Sequence, residues 1–386
     1  MLIAVNTRFL IKDTLEGIGW FTYETMKRLT RQHPEHQFLF LFDRDPDPDF
    51  IFSDNITPVK VWPPARHPYL WKYWFDHALP RIFRKYKPDL FISTDGFLSL
   101  HAKVPTLLVI HDLGFEHYPE HTPQIVSRFY RKYTPQYARN ASRIVTVSEF
   151  SKQDIVKQYQ IDPDKIDVAY NGAHEQYVPL AAEEKQQVIA QYTEGKPYFL
   201  YVGSVHPRKN VQNLLLAYDA LRKEHTCDHK LLIVGRMAWK TEETRQVYEQ
   251  LEFKEDVVFA GHLQLDELTR VMASADAFVY PSLFEGFGIP VVEARYCGVP
   301  VITSDQSSLP EVAGPNAIFF DPHHPDQIKA AMQQFLAERS YRIQQAQQDL
   351  NVRNVFNWDA SADAIFRSIQ MIKSTGKKPA AVAHRA

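Results

Sequence analysis

Residues 198–224, YFLYVGSVHPRKNVQNLLLAYDALRKE, contain in succession a short apolar run, a glycine turn and a helical pattern. The run at 198–203 is continuously apolar rather than alternating, which is typical of a strand that is covered on both faces. The stretch 210–224 instead repeats its apolar residues at helical spacing. A buried strand that leads through a glycine turn into a helix is the building unit of a parallel sheet with helices on both faces.

The same unit recurs along the whole chain. Candidate strands lie at 2–6, 37–42, 90–94, 106–110, 143–147, 166–170, 198–203, 230–235, 257–260, 277–281 and 300–303. Candidate helices lie between them, at 18–32, 70–86, 124–138, 150–159, 210–224, 241–252, 264–274 and 325–337. This alternation predicts an α/β fold of doubly wound parallel sheets, in which ligands bind at the carboxyl ends of the strands.

The length and the pattern together predict two domains. A chain of 386 residues is long for a single core. The strand–helix pattern starts again near residue 196, after a polar stretch rich in Glu and Gln at 174–196. We therefore predict one Rossmann-like domain over 1–178 and a second over 179–357.

The end of the chain is predicted to contain one more helix and a tail. Asn357 is a suitable cap for a last helix over 358–373. The stretch 374–386 is small and basic, so we predict a disordered tail there.

Composition excludes several classes of protein. Lys and Arg number 44 against 46 Asp and Glu, so the net charge of −2 lacks the basic field of a nucleic-acid binder. The two cysteines cannot form a disulfide framework and fit a reducing compartment. No stretch of 18 uninterrupted apolar residues occurs, and the N-terminus lacks a signal-peptide pattern. The sequence therefore indicates a cytoplasmic protein.

Residues 285–298, EGFGIPVVEARYCG, carry the strongest functional signal. Two carboxylates, Glu285 and Glu293, flank a glycine loop that opens into a short helix. Pro290 suits the first turn of that helix, and Gly298 suits the position just past its end. The start of a helix offers unpaired N–H groups and a positive dipole to an anion. One carboxylate could bind the hydroxyls of a sugar and the other those of a ribose, which together outline a nucleotide-sugar site.

A second candidate is the loop after the strand at 198–202. Gly203 begins a turn that carries two adjacent cations, Arg208 and Lys209. Arg as a fork and Lys as a point charge would clamp a diphosphate. In isolation two such cations are more often a solvated loop pair, but the stretch at 285–293 favours the clamp. No phosphate loop, paired-cysteine zinc pattern or Gly-x-Ser-x-Gly elbow occurs in the chain.

The first half contributes two weaker candidates. Gly17 and Gly19 lie between the first strand and the first helix, where a missing side chain lets backbone approach a ligand. Simple turn geometry explains them about as well, since the third glycine of a dinucleotide fingerprint is missing. His111 follows an apolar strand, where polar residues usually face the ligand edge of the sheet. It could bind a sugar hydroxyl or orient an acceptor, although a histidine capped by Asp112 fits equally well.

Two aromatic and basic patches also lie in the first half, at 69–75 with the cations that follow and at 128–133. Amphipathic helices of this kind can rest on anionic membranes. Aromatic residues at such spacing are more often core, with the cations solvated. Peripheral contact with the inner membrane surface therefore stays open as an alternative for this otherwise cytoplasmic protein.

Taken in order, these motifs resemble the paired-glutamate signature of the family 4 (group 1) retaining glycosyltransferases of the GT-B fold. The resemblance covers almost the whole chain and is strongest over 198–322. Besides the Glu285–Glu293 stretch, the matching marks are the Gly17–Gly19 loop, His111-Asp112, Val147-Ser148, Gly203 to Asn210, Val234-Gly235, Gly261-His262 and Pro300 to Ser304. Some members carry two glycines before Ile18, where this chain has Glu16 as the first of the pair.

The resemblance implies a fold and a set of residue roles. Two Rossmann-like domains would face each other across a cleft, with the acceptor side on the first and the donor site on the second. The segment Phe356-Asn357-Trp358 and its helix would cross back to the first domain. Glu285 would lie against the donor sugar, and Glu293 would bind the ribose. The remaining roles would be backbone N–H contacts from Phe287, Gly288 and Ile289, neutralisation of the diphosphate by Arg208 and Lys209, donor contacts from Gly17, Gly19 and Gly203, and a sugar or acceptor contact from His111.

The resemblance also implies an activity. The chain would be a hexosyltransferase that moves a sugar, mannose as the best guess, from a nucleotide diphosphate sugar to a saccharide or lipid-linked acceptor. The forms Pro207 to Asn210 and Ser148 to Ser151 resemble mannosyl-type enzymes of surface-polysaccharide assembly, which favours GDP-mannose over a UDP-sugar. No metal cofactor is expected. A nucleotide-sugar epimerase, a sugar phosphorylase and a non-catalytic nucleotide-sugar-binding protein are the alternatives.

Overall fold

The computed structural model describes residues 1–65, 67–225, 227–236, 242–349 and 351–375. The chain divides into two compact units. Unit 1 contains Met1–Asn171 and the C-terminal helix, and unit 2 contains Gly172–Phe356. Each unit is an α/β sandwich around a parallel sheet.

Unit 1 contains a seven-stranded sheet in which every neighbouring pair is parallel. The strand order is β3-β2-β1-β4-β5-β6-β7. The strands are β1 Leu2–Asn6, β2 Gln37–Phe42, β3 Ile56–Lys60, β4 Leu90–Ser93, β5 Thr106–Val109, β6 Arg143–Thr146 and β7 Ile166–Val168. The central strands are buried along their whole length, as their continuous apolar runs predict.

The helices of unit 1 cover this sheet. They are α1 Gly17–Gln32, α2 Pro68–Tyr73, α3 Leu79–Tyr86, α4 Gly114–His117, α5 Gln124–Asn140, α6 Glu149–Tyr159 and, at the C-terminal end of the chain, α16 Trp358–Thr375. Helix α16 returns to this unit and is tied to it by polar contacts. Arg28 Nε donates to Asp359 Oδ1 over 2.7 Å, and Ser368 Oγ donates to Asp167 Oδ2 over 2.6 Å. The last helix therefore crosses back to the first domain, as the resemblance implied.

Unit 2 contains a six-stranded sheet, also entirely parallel, in the order β10-β9-β8-β11-β12-β13. Its strands are β8 Tyr198–Val202, β9 Lys230–Val234, β10 Val257–Gly261, β11 Ala277–Tyr280, β12 Val301–Ser304 and β13 Ile318–Phe320. Its helices are α7 Ala182–Thr193, α8 Val211–Lys223, α9 Glu242–Gln250, α10 Leu265–Ser274, α11 Ile289–Tyr296, α12 Leu309–Ala313, α13 Pro325–Ala337, α14 Arg339–Gln347 and α15 Val352–Val355.

Two strands, five helices and one helix break differ from the sequence prediction. The helices that were not predicted are the short α4, α12 and α15 together with α14 and α7, the last of which lies within the polar stretch at 174–196. Every predicted strand overlaps an observed one, but β3 and β13 were not predicted. Strand β3 lies at the edge of its sheet with mostly exposed side chains, and β13 has three residues, so neither forms a buried apolar run. The predicted helix at 70–86 is interrupted by a π-helical turn at Trp74–Ala78 between α2 and α3.

The boundary between the units falls at Asn171/Gly172, before the predicted boundary at 178. Tyr177 is fully buried, and its backbone oxygen accepts a hydrogen bond from Arg353 over 2.6 Å, so this segment packs in unit 2. Of the predicted tail at 374–386, residues 376–386 lie outside the described residues. In the described part of the chain, every helix is too short or too polar to cross a membrane.

Candidate active site

The strand order of unit 2 places two loops side by side. The chain runs outward from β8 to β9 and β10, and then returns to the other side of β8 with β11. The carboxyl ends of β8 and β11 therefore mark the topological switch point, where doubly wound sheets bind ligands. The loop 203–209 follows β8, and the loop 281–288 follows β11. The two strongest sequence candidates thus meet at one point of one sheet.

Glu285 is the centre of this site. Its Oε1 lies 2.6 Å from Lys209 Nζ, and its Oε2 lies 3.2 Å from Arg208 Nη1. Two hydroxyls complete the shell, because Ser282 Oγ donates to Oε1 over 2.5 Å and Tyr280 Oη donates to the same atom over 3.1 Å. Glu285 is 6% exposed, so a buried carboxylate is surrounded by cations and donors.

The charges around Glu285 determine its ionisation. Burial alone would raise the pKa of Glu285, but Lys209 and Arg208 outweigh burial and lower the pKa to about 2. The carboxyl group is therefore ionised throughout the neutral range. Lys209 Nζ also donates to Tyr280 Oη over 2.7 Å, which holds the ammonium group between the phenol and the carboxylate.

Backbone and serine contacts fix the two loops to each other. The N–H of Leu283 donates to the carbonyl of Arg208 over 2.9 Å, and the guanidinium of Arg208 donates to the carbonyl of Phe284. Ser307 Oγ accepts the N–H of Glu285 over 2.9 Å, and Ser308 Oγ donates to the carbonyl of Glu285 over 2.9 Å. The position of Glu285 is therefore set by the segment after β12 as well as by its own loop.

The helix that follows Glu285 begins and ends as its sequence predicts. Gly288 precedes α11 with φ +101°, and a Cβ there would lie 2.9 Å from Cδ2 of Leu309. Pro290 lies in the first turn, and Gly298 has φ +67° just beyond the end. The site residues Phe287, Gly288 and Ile289 thus lie at the positive end of the dipole of α11.

Gly203 begins the loop 203–209, which carries Arg208 and Lys209, and its surroundings are sterically tight. It has φ +152°, and its N–H donates to the carbonyl of Val234 over 2.9 Å. A Cβ at Gly235, which follows the neighbouring strand β9, would lie 1.9 Å from the carbonyl oxygen of Gly203. The ends of β8 and β9 approach this closely only because residue 235 has no side chain.

Glu293 lies inside α11 in a different environment from Glu285. Its side chain is partly buried and interacts with the hydroxyl of Tyr177. Burial raises the pKa of Glu293 to about 7, while the hydrogen bond from Tyr177 opposes that rise. A carboxyl group with this pKa changes its charge near neutral pH.

In unit 1, the two glycine candidates differ from each other. Both lie inside the first turn of α1 rather than in a loop before the helix. A Cβ at Gly19 would lie 2.9 Å from the carbonyl oxygen of Phe9, so packing within the unit accounts for this glycine. A Cβ at Gly17 would meet no atom within 4 Å, so Gly17 leaves open space at the start of the helix.

His111 follows β5 and is held by the adjacent strand. Its Nε2 lies 2.8 Å from the carbonyl oxygen of Thr94, which can only accept, so Nε2 carries the proton. Burial lowers the pKa of His111, which keeps the ring neutral with Nδ1 as an acceptor. Asp112 Oδ1 accepts the N–H of Gly114 over 2.8 Å, so Asp112 is a turn cap, as the structural alternative proposed.

The sequence did not identify several partners of the site. Tyr280, Ser282, Ser307 and Ser308 all contact Glu285 or its backbone. Tyr280 and Ser282 were within reach of the sequence, because polar groups that follow a buried strand face its carboxyl edge. Ser307 and Ser308 also follow a buried strand, β12, so the same rule places them at that edge, but only the fold shows that they contact the backbone of Glu285.

Two doubly wound units, one with a cation-bound glutamate beside a helix start at its switch point, fit the class of GT-B glycosyltransferases that the sequence motifs resemble. The family model "Glycosyl transferases group 1" matches residues 182–351, and "Glycosyltransferase Family 4" matches residues 15–177. The chain belongs to the group 1, family 4 glycosyltransferases.

Several known glycosyltransferases are similar to this chain over most of their length. The chain is 31% identical to O-antigen chain mannosyltransferase B of Escherichia coli over 366 residues, which are 90% of this chain and 94% of the relative. It is 30% identical to O-antigen chain mannosyltransferase RfbU of Salmonella typhimurium over 70% of this chain and 69% of the relative. The solved sucrose-phosphate synthase of Thermosynechococcus elongatus has the same fold, with a TM-score of 0.77 at 18% identity over 97% of this chain and 99% of that chain.

These comparisons establish the broad activity. The chain is a glycosyltransferase of glycan biosynthesis. The named relatives are transferases, which favours sugar transfer over epimerisation or nucleotide-sugar sensing.

Proposed function

We propose that the protein is a retaining mannosyltransferase that uses GDP-mannose to extend a saccharide or lipid-linked acceptor in polysaccharide assembly. The observation that carries the proposal is the buried Glu285 carboxylate between Lys209 and Arg208 at the switch point of unit 2. Mannose as the sugar is supported by the similarity to two O-antigen mannosyltransferases.

The cations have a direct role in the proposed reaction. Breaking the bond between the sugar and the diphosphate develops negative charge on the leaving phosphate. Arg208, Lys209 and the start of α11 at Ile289 stabilise that charge. A preorganised donor of this kind typically lowers the activation free energy by about 3 kcal/mol. Because these groups supply the positive charge, the proposal requires no metal ion.

Glu285 orients the two cations before the donor binds. It holds Lys209 and Arg208 close to the positions where a diphosphate would meet them, so little reorganisation accompanies binding. Its ionised carboxylate then accepts hydrogen bonds from the hydroxyls of the donor sugar and lies near the positive charge that develops on the sugar ring.

The other candidate residues complete the proposed donor contacts. Glu293 binds the ribose hydroxyls, and the N–H groups at Phe287, Gly288 and Ile289 meet the sugar and phosphate. Gly17 admits the donor phosphates to the start of α1. His111, neutral with Nδ1 as acceptor, binds a hydroxyl of the donor sugar or the acceptor.

Retention of the anomeric configuration is the finer part of the proposal. The acceptor attacks on the face from which the diphosphate leaves, and the leaving phosphate takes the acceptor proton. Nuclear magnetic resonance of the glycosidic linkage in the product distinguishes the anomers. A β-linked product from an α-linked donor would contradict retention while leaving the transfer itself intact.

Donor identity is tested first by thermal shift. A ligand that binds only the folded state raises the melting temperature in proportion to RT ln(1 + [L]/Kd). We expect GDP-mannose to raise it more than UDP-glucose or UDP-galactose. An equal or larger shift with a UDP-sugar would overturn the GDP-mannose assignment, and no shift with any nucleotide sugar would overturn the donor site.

Transfer is tested with Lys209→Ala and with a matched lysine elsewhere in the same unit. Lys254 pairs with Glu249 on the surface, 3.4 Å away, and is a suitable control. We expect mannose transfer to fall by about 100-fold in Lys209→Ala and to be unchanged in Lys254→Ala. Activity that disappears in EDTA and returns with Mg²⁺ would contradict the metal-independent mechanism.

The acceptor side of the proposal rests on a groove between α2 and α5 in unit 1. The groove has a volume of about 460 Å³ and is lined by Pro68, Tyr69, Lys72, Tyr73, His77, Ile125, Arg128, Phe129, Lys132 and Tyr133. The residues of the first aromatic patch differ in burial. Trp74 and Phe75 are fully buried, whereas Tyr69 is 75% exposed at the rim of the groove.

The charge of this groove fits an anionic lipid surface. Arg128 and Lys132 are exposed on α5, while Asp76 is buried and paired with Lys72 over 2.5 Å. Exposed aromatic rings beside cations suit the interface of a bilayer. We propose that the groove rests on the membrane that carries the lipid-linked acceptor.

Co-sedimentation with vesicles tests this contact. We expect binding to vesicles that contain phosphatidylglycerol, weak binding to phosphatidylcholine alone, and loss of binding in Arg128→Glu. Lys157→Glu, which reverses an exposed cation on α6, is the matched control. Equal binding by both variants would remove the groove from the proposal.

A further inference from the structure

The switch point of the sheet in unit 1 also carries an ion pair. The chain runs from β1 outward to β2 and β3, and then returns to the other side of β1 with β4. Arg8 follows β1, and Asp95 follows β4. Arg8 Nε donates to Asp95 Oδ2, so a cation and a carboxylate join the two strand ends at the place where doubly wound sheets bind ligands.

This pair is far more deeply buried than the ionic cluster of unit 2. The side chains of Arg8 and Asp95 are 5% and 0% exposed. In unit 2, those of Arg208 and Lys209 are 26% and 16% exposed. The guanidinium of Arg8 lies between 4.5 and 5.9 Å from the centroids of the aromatic rings of Phe9, Trp71, Phe75 and Phe97. The pair is enclosed too fully to receive a ligand, so any effect on the reaction must pass through the backbone that it holds.

Asp95 holds the turn that follows β4. Its Oδ1 accepts the N–H of Phe97 over 3.3 Å and the hydroxyl of Ser93 over 3.2 Å. A buried carboxylate needs such partners, because burial removes its water. Since Oδ2 is bound to Arg8 and Oδ1 to its own turn, the carboxylate fixes residues 93–97 against the end of β1.

Thr94 lies inside this turn and links it to the candidate site. Its Oγ1 donates to the carbonyl of Asn6 over 3.1 Å, which binds it to the end of β1 as well. Its own carbonyl oxygen lies 2.8 Å from Nε2 of His111, which follows β5. A carbonyl oxygen only accepts, so its direction determines which ring nitrogen of the histidine carries the proton.

Two further contacts of His111 do not select a tautomer. Its ring meets that of Phe21 edge-on, with the centroids 5.0 Å apart, and such packing is compatible with either tautomer. Its backbone carbonyl accepts from Ser151 Oγ over 3.2 Å, which fixes the main chain rather than the ring. Burial lowers the pKa of His111, so the ring is neutral and its proton must lie on one nitrogen or the other.

We propose that Arg8 and Asp95 are positioning residues for His111. The ion pair holds the turn, the turn aims the carbonyl of Thr94, and that carbonyl keeps the proton of His111 on Nε2. Nδ1 is then the acceptor that meets a hydroxyl of the donor sugar or the acceptor, a contact that rests on the proposed function. Without the pair, the proton would lie on Nδ1 for part of the time, and the ring could not then accept that hydroxyl.

Nuclear magnetic resonance of the ring nitrogens reads the tautomer in the full-length protein labelled at histidine. His111→Asn identifies the signals of His111 by difference. We expect the native protein at pH 7.5 to have Nε2 protonated and Nδ1 unprotonated, and Asp95→Asn to show exchange between the two tautomers. Native signals with the proton on Nδ1 would overturn the proposal, even if Asp95→Asn failed to fold. Unchanged signals in a folded Asp95→Asn would overturn it as well.

Asp167→Asn is the matched control for a general loss of stability. Asp167 lies in β7 of the same unit and pairs with Arg143 over 2.7 Å. Each substitution removes one carboxylate charge from an ion pair of unit 1, so each should lower the melting temperature. Only Asp95→Asn should change the signals of His111. An equal change in Asp167→Asn would mean a general loosening of the unit and would overturn positioning by Asp95.

Transfer kinetics give the functional measurement. We expect kcat/KM to fall about tenfold in Asp95→Asn, the weight of one hydrogen bond, and to be unchanged in Asp167→Asn. A changed tautomer with native kinetics would overturn the role of the pair in the reaction, while mannose transfer itself would stand. An absence of transfer by the native protein would instead contradict the proposed function, and the nitrogen signals would still decide whether the pair positions the ring.

Discussion

Glu285 and Glu293 lie eight residues apart in one stretch of sequence, yet the pKa values of their carboxyl groups are shifted in opposite directions. Burial acts on both and would raise both pKa values. Glu285 has Lys209 and Arg208 within hydrogen-bond distance, which lower its pKa to about 2. Glu293 has only the hydroxyl of Tyr177 as a partner that lowers its pKa, which is about 7.

The difference shows that the charge on neighbours, rather than the depth of burial, separates the two roles. A permanently ionised carboxylate suits a place beside developing positive charge. A carboxyl group that titrates near neutral pH instead couples its ligand to a proton.

The largest expected effect comes from removing the charge of Glu285. Glu285→Gln keeps the shape of the side chain but removes the anion that holds Lys209 and Arg208. We expect the kcat of transfer to fall by about 100- to 1000-fold, since electrostatic groups at reacting centres typically have this weight. Steady-state kinetics measure it, with Glu249→Gln on the surface of α9 as the control. A kcat within a few-fold of native would contradict the role given to Glu285.

The second prediction concerns the pH dependence of donor binding. Glu293 accepts ribose hydroxyls only as a carboxylate, so its proton must leave when the donor binds. Below pH 7 we expect donor affinity to fall about tenfold per pH unit, and above pH 7 to level off. Calorimetric titration in buffers of different ionisation enthalpy measures the released proton. Glu293→Gln should bind weakly at every pH, and a native affinity independent of pH would separate Glu293 from the ribose.

A smaller effect is expected from the hydroxyl of Tyr177. Tyr177→Phe removes the hydrogen bond that lowers the pKa of Glu293, so that pKa rises further. The pH profile of donor affinity should move to higher pH, with a loss of about threefold at pH 7.5. Tyr192→Phe, which removes a partly buried hydrogen bond to Glu267 in α10, serves as the control. A profile that moves to lower pH would reverse the sign of this interaction.

The smallest expected effect is on acid stability. The folded pKa of Glu285 lies below its unfolded value, so its contribution to stability is fully present above about pH 4.5 and is lost as pH falls toward 2. Lys209→Ala raises the folded pKa and flattens this dependence. Melting temperatures between pH 5 and 3 should fall less steeply in Lys209→Ala than in Lys254→Ala. Parallel curves would mean that Lys209 does not control the ionisation of Glu285.

Much of the fold was predictable because its strands are continuous apolar runs between helical patterns. The two strands that were not predicted lack such a continuous buried run. Ile56–Lys60 exposes most of its side chains at a sheet edge, and Ile318–Phe320 is too short to show a period. A strand with few buried side chains, or with only three residues, gives no periodic sequence signal.

The site was predictable where topology alone brings residues together. Arg208, Lys209 and Glu285 meet because both of their loops follow adjacent parallel strands, which is a property of the sheet. Their hydrogen-bond partners depend on side-chain directions that only packing determines, as with Ser308 on the carbonyl of Glu285.

Gly235 takes part in no proposed contact with donor or acceptor. Its lack of a side chain nevertheless allows the loop 203–209 to lie close to the sheet. Any side chain at 235 would displace the carbonyl of Gly203 and, through it, the turn that carries Arg208 and Lys209. A survey of single substitutions would therefore find position 235 as intolerant as the charged residues. That intolerance would be misread as the loss of a ligand contact, although the added side chain would instead overlap the backbone between the ends of β8 and β9.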